Sequence, residues 1–168
     1  MTRLATLTTT LGLALLATGA HAQSMYGELG YTGLDYRQPG LKASPGMVRG
    51  LVGYEFTPQL AVEGMLGLGA NADTTDGTRV KLDNTLGVYG KAQLPLTDAF
   101  KLYGRVGVAR NSVKLGGSAD SHTTGLAYGA GMSYDLSKTS YLSVDYMRYQ
   151  DKDSKTLEGI TAGIGVRF

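Results

Sequence analysis

The sequence predicts an all-β protein, an eight-stranded antiparallel up-and-down transmembrane β-barrel. Three observations carry that reading: an export signal at the N-terminus, a period-two alternation of apolar and polar residues that recurs along the rest of the chain, and connections that alternate between short and long. The 168 residues include 25 Gly and 4 Pro but no Cys and no Trp. Without Cys there is no disulfide scaffold, thiolate zinc site or Cys nucleophile. Charged residues make up 18% and hydrophobic residues 42%, which excludes a disordered acidic chain and a helical-bundle membrane protein alike. A net charge of +2 says nothing useful about nucleic acid, and no such partner is expected.

The export signal comes first. Arg3 precedes a short apolar core of Leu11, Leu13, Ala14, Leu15, Leu16 and Ala17, which ends in the small-x-small pattern Ala20-His21-Ala22. The core is too short to span a bilayer, so residues 1–22 read as a signal peptide cleaved after Ala22 and residues 23–168 as the barrel domain. Processing removes His21 and leaves His122 as the only histidine.

The strand period is clearest at the C-terminus. There Ile160, Ala162, Ile164, Val166 and Phe168 alternate with Gly159, Thr161, Gly163, Gly165 and Arg167. Comparable segments predict strands near 25–35, 47–56, 59–70, 80–93, 99–110, 123–135, 140–150 and 157–168. Short connections at Thr57-Pro58, Pro95-Leu96-Thr97-Asp98 and Leu136-Ser137-Lys138 close hairpins, whereas 37–46, 71–79, 111–122 and 151–156 are longer and polar. All four prolines fall in connections, as strand pairing requires. Short periplasmic turns and longer outer loops are the pattern of a bacterial outer-membrane barrel, and an even strand number puts both termini in the periplasm.

With the more apolar register turned to lipid, residues such as Val52, Leu66, Leu86, Val106, Leu126 and Val144 face outward. The opposite register then carries Glu28, Arg49, Glu55, Glu63, Asp83, Lys91, Lys101, Arg105, Asp145 and Arg167. Isolated charges in a closed interior are costly and are kept only when paired, so these ten are expected to form a barrel-interior salt-bridge network that leaves no open pore. Gly30, Gly53, Gly67, Gly87, Gly107, Gly129, Gly131 and Gly163 are expected to make room for the long charged side chains. Gly129-x-Gly131 and Gly163-x-Gly165 are not phosphate loops, since neither joins a strand to a helix. Phe56, Phe100 and Phe168 all fall at strand ends assigned to the periplasmic rim, with Tyr54 and Tyr134 near that level. Tyr31, Tyr36, Tyr128, Tyr146 and Tyr149 are expected to form a second girdle at the outer rim or upper wall.

The signal peptide, the eight strands and the ending Gly163-Ile164-Gly165-Val166-Arg167-Phe168 resemble the small OmpA/OmpX-type outer-membrane barrels, the "porin family". Tyr146-Met147-Arg148-Tyr149 and the following Gln150–Lys155 loop resemble the penultimate hairpin of that group. The resemblance implies residence in the outer membrane of a Gram-negative cell envelope among lipid and lipopolysaccharide. It also implies an assembly signal in Ile160, Ile164, Val166 and Phe168, read by the outer-membrane assembly machinery. No peptidoglycan-binding domain is expected after Phe168.

Catalysis has little to stand on. A lipid A-modifying barrel enzyme would need a Ser, a His base and an acid near the outer leaflet. His122 follows Asp120 and Ser121, but three consecutive residues cannot form a triad among themselves. Asn71, Asp73 and Asp76 before Gly77 lack the spacing and terminal Glu of a calcium loop. No enzyme activity, metal or cofactor is expected. The leading expectation is a monomeric structural or envelope protein whose outer loops meet a surface ligand; the alternative is a periplasmic lipocalin-like ligand-binding barrel, with its apolar face inward.

Overall fold

The computed structural model describes residues 25–38, 41–75, 78–115, 121–152 and 155–168. The signal peptide and its cleavage after Ala22 lie outside the described residues. The strands are β1 (Met25–Gln38), β2 (Leu41–Ala43), β3 (Gly46–Thr57), β4 (Leu60–Thr75), β5 (Thr78–Pro95), β6 (Phe100–Leu115), β7 (Ser121–Asp135), β8 (Ser140–Lys152) and β9 (Lys155–Arg167). Every pairing is antiparallel and joins sequence neighbours, except that β3 passes over β2 to pair with β1. The ring then closes through β1 and β9, in register from Tyr26↔Arg167 to Arg37↔Thr156. Eight strands form the closed barrel, and β2 is a short addition beside the far end of β1.

Alternation sets which side chain goes where. In β4, Ala61, Glu63 and Met65 are buried inside, while Leu60, Val62, Leu66 and Leu68 are exposed on the outer wall. The same rule places Val52, Leu86, Val88, Val106, Val108, Leu126, Leu142, Val144, Ile160 and Ile164 outward as an apolar band.

The three short turns share one local device. Thr57 Oγ1 accepts the backbone N–H groups of Gln59 and Leu60 at 3.2 and 3.0 Å. Thr97 does the same for Ala99 and Phe100 at 3.3 and 3.0 Å, and Ser137 for Thr139 and Ser140 at 3.2 and 3.0 Å. A short hydroxyl side chain thus occupies backbone donors that the ladder cannot reach in each reversal.

At the opposite end the strands run further than the hydrophobic pattern predicts. Asn71–Thr75 belongs to β4, and Thr75 pairs with Thr78 at the start of β5. Likewise β6 continues to Leu115, and Lys152 pairs with Lys155. The expected loops 71–79, 111–122 and 151–156 are therefore largely strand ribbon, and 37–46 contains β2. A tilted strand crosses the membrane in about 9–11 residues, so β5 with 18 and β6 with 16 must project beyond the apolar band. The ladder satisfies the backbone in these ribbons whatever the side chains are, so polar, Thr-rich sequence extends a strand without an apolar signature.

Two apolar clusters fill the two ends of the interior. Tyr26, Leu51, Ala61 and Tyr141 lie towards the short turns, whereas Leu34, Tyr36, Met47, Met65, Leu82, Met147, Tyr149 and Leu157 belong to the cluster towards the ribbons. Tyr36 and Tyr149 are 3% and 0% exposed, which corrects their expected place in a girdle at the outer rim or upper wall: both continue the inward registers of β1 and β8. Tyr31, Tyr128 and Tyr146 are exposed.

Candidate interior charge site

Between the two apolar clusters, six strands each supply one buried charge: Glu28 from β1, Arg49 from β3, Glu63 from β4, Lys91 from β5, Arg105 from β6 and Asp145 from β8. Three acids meet three bases. Arg49 holds Asp145 with both guanidinium nitrogens, Nη1 to Oδ1 at 2.8 Å and Nη2 to Oδ2 at 2.7 Å, and its Nη2 also reaches Glu28 Oε1 at 2.7 Å. Arg105 donates through Nε to Glu63 and through Nη1 to Asp145 Oδ2 at 2.7 Å. Lys91 Nζ lies 3.6 Å from Glu63 Oε1. Asp145 thereby joins the two arginines, and Glu63 joins Arg105 to Lys91.

Tyrosines complete the network. The Tyr26 hydroxyl donates to Glu63, and Tyr103 donates to Asp145 Oδ2 at 3.1 Å. Lys91 Nζ sits 4.7 Å from the ring centroids of both Tyr26 and Tyr103, and the Arg105 guanidinium sits 4.5 Å from that of Tyr103. Ring faces and hydroxyls together replace part of the hydration these cations give up. These tyrosines escaped the sequence reading, although a signal was present: Tyr26-x-Glu28, Tyr89-x-Lys91 and Tyr103-x-Arg105 put a ring two residues from a charge on the same face.

The remaining four predicted charges lie outside this group of six. Lys101 and Arg167 converge at the short-turn end on Asp135, each at 2.7 Å, a partner the sequence reading missed because it sits at a strand-to-turn boundary. Glu55 accepts from Gln93 Nε2 at 3.1 Å near that end. Asp83 is half-buried towards the ribbons, with Asn84 Nδ2 at 3.4 Å.

Glycines serve rings and thioethers more than charges. Tyr26, Tyr89, Tyr103 and Tyr141 each sit directly across the ladder from a glycine: Gly53, Gly107, Gly131 and Gly165. A Cβ on Gly53 or Gly165 would overlap the facing ring, and one on Gly67 would overlap Met47. Lying flat over a glycine lets a ring fill a narrow lumen while covering bare backbone.

The outer surface holds the other predicted residues. Phe56, Phe100 and Phe168 all lie at the short-turn end, with Phe56 edge-on to Tyr54 at 5.0 Å. Phe168 donates its backbone N–H to Met25 O at 2.9 Å, and Ile160, Ile164, Val166 and Phe168 are exposed along the wall. His122 Nδ1 lies 2.8 Å from Ser112 Oγ, while the side chains of Asp120 and Ser121 lie outside the described residues. Asn71 Oδ1 accepts from the Gly46 N–H at 2.7 Å, the side chains of Asp73 and Asp76 are not among those described, and the described residues contain no acidic or histidine cluster fit for a metal.

A closed antiparallel barrel with an apolar outer band and charges turned inward is an integral outer-membrane barrel, the inverse of a lipocalin in polarity, and this overturns the soluble alternative. The chain belongs to the outer membrane protein beta-barrel domain family, whose model matches residues 7–168, and its place is the outer membrane. No curated relative matches it by sequence. Among solved structures it is similar to Neisserial surface protein A, NspA (TM-score 0.74, 18% identity, 88% of this chain and 100% of that one). It is also similar to Ail, the attachment invasion locus protein of Yersinia pestis, solved with the heparin analogue sucrose octasulfate (TM-score 0.68, 20% identity, 87% and 99%). OprG of Pseudomonas aeruginosa is a further likeness (TM-score 0.55, 14% identity, 87% and 95%). At these identities the likeness is one of fold.

Proposed function

We propose that this protein is a non-conducting structural barrel of the outer membrane that presents its strand ribbons to surface ligands and has no enzymatic role. The observation that carries the reading is the six-charge interior, with Glu28, Arg49, Glu63, Lys91, Arg105 and Asp145 crossing the lumen between apolar clusters. A solute would have to break ion pairs in a space already occupied by tyrosine and methionine side chains. The periplasmic rim of Phe56, Phe100 and Phe168 anchors the short-turn end at the interface, and residues 1–22 are lost on export. Ile160, Ile164, Val166 and Phe168 serve as the assembly signal. A ring with no free edge needs no partner strand, so the barrel acts as a monomer.

β4–β7 are the longest strands and their ribbon ends are offered as the ligand surface, with the sulfated sugar bound to Ail as a precedent in the same fold. Liposome swelling tests the closed reading. Vesicles carrying the mature protein should swell in small sugars no faster than empty ones; swelling at the rate of an open porin would overturn it.

A further inference from the structure

On one side of the barrel two arginines in the outward register are neutralised. Arg37 pairs with Asp35 at 2.5 Å and with Glu158 at 3.3 Å, and Arg148 pairs with Glu158 at 3.0 Å. The wall formed by β5, β6 and β7 is different. Its register sets Asn84 beside Ser112 and His122, and one step lower sets Leu86 beside Arg110 and Thr124. Arg110, His122 and Thr124 are exposed, and among the described residues no carboxylate pairs with Arg110. This polar and cationic patch sits directly above the exposed Leu86, Val108 and Leu126 of the apolar band.

Immediately below lies a groove of 320 Å³, whose lining includes Gly64, Leu86, Val88 and Val108 and whose upper end is Arg110 and Thr124. Gly64 leaves the floor open, since a Cβ there would meet nothing within 4 Å. The shape and polarity are those of an amphiphile: an apolar trough for a chain, ending in a guanidinium at the edge of the band.

We propose that this wall binds one phosphorylated glycolipid of the outer leaflet, with an acyl chain in the Gly64 groove and a phosphate on Arg110, assisted by Thr124 and His122. Charge complementarity selects the phosphate, because a guanidinium is a bidentate phosphate donor and a cation at the membrane surface attracts anionic headgroups. In the tautomer where Ser112 donates to His122 Nδ1 across their 2.8 Å contact, the exposed Nε2–H is a second donor. The inference rests on the reading of the ribbons as the outer end.

Native mass spectrometry of the folded mature protein with bisphosphorylated lipid A tests it. The wild type should carry one lipid, and Arg110→Gln should weaken that adduct about fivefold, the loss expected for one surface cation. Gly64→Leu should weaken it as well, Arg37→Gln should leave it unchanged, and dephosphorylated lipid A should bind poorly to every variant. Both substitutions lie on the open wall, and cold against boiled electrophoresis reports that each variant is folded. An adduct unaffected by Arg110→Gln, or weakened equally by Arg37→Gln, would overturn the site. So would a soluble sulfated sugar whose binding needs Arg110 while the lipid's does not. Labelling of Lys42→Cys by a membrane-impermeant maleimide on intact cells reports the orientation separately; labelling only after permeabilisation would overturn the proposal through its premise and leave the closed-interior reading to the swelling assay.

Discussion

Arg49 has its guanidinium held by Asp145 and Glu28, and it is 1% exposed. Removing it leaves Glu28 buried without its close cation and Asp145 with Arg105 alone, so Arg49→Met should cost about 3–5 kcal/mol. Urea titration of the heat-modifiable band in detergent or lipid reads this loss. A second residue-level prediction concerns space. Gly165→Ala drives a Cβ into the Tyr141 ring and should cost about 1–3 kcal/mol, whereas Gly33→Ala, whose Cβ meets nothing within 4 Å, should stay within about 0.5 kcal/mol by the same titration. At this scale strand parity reads out the inward face of Glu28, Arg49, Glu63, Lys91, Arg105 and Asp145, which are buried. It could not reveal that Arg49 meets Asp145 across the lumen or that Lys101 and Arg167 share Asp135, because alternation assigns a face and says nothing about which strands confront one another.

The strands and turns show where the hydrophobic pattern carries information and where it stops. Within the apolar band it located every barrel strand, because lipid on one side and a packed lumen on the other enforce strict alternation. Above the band both faces meet polar surroundings, and the extension of β4, β5, β6 and β8 into expected loops left no apolar trace. Two element-level predictions follow from this contrast. Val106→Arg places a charge on the 56%-exposed lipid face and should cost about 2–4 kcal/mol near the midplane, lowering recovery in the outer-membrane fraction. Thr97→Ala removes the acceptor for Ala99 and Phe100 N–H in a solvated turn and should cost only about 0.5–1.5 kcal/mol, with the barrel still heat-modifiable.

For the whole molecule, ring closure joins charges from strands distant in sequence: Glu28 and Asp145 lie near opposite ends of the chain, yet both contact Arg49. Up-and-down topology was legible from the hairpin turns, and β2 was not, since three residues cannot display a period. Joined through shared partners, the interior charges should act as one coupled unit that locks the closed barrel. The most direct test of that coupling is a double-mutant cycle on Arg49→Met and Asp145→Asn, measured by urea unfolding of the mature protein in lipid. The structure predicts strong non-additivity, with the double variant more stable than the sum of the two single losses implies by at least about 1 kcal/mol. Losses that simply add would show that the two residues do not share an interaction and that the interior charges are not coupled.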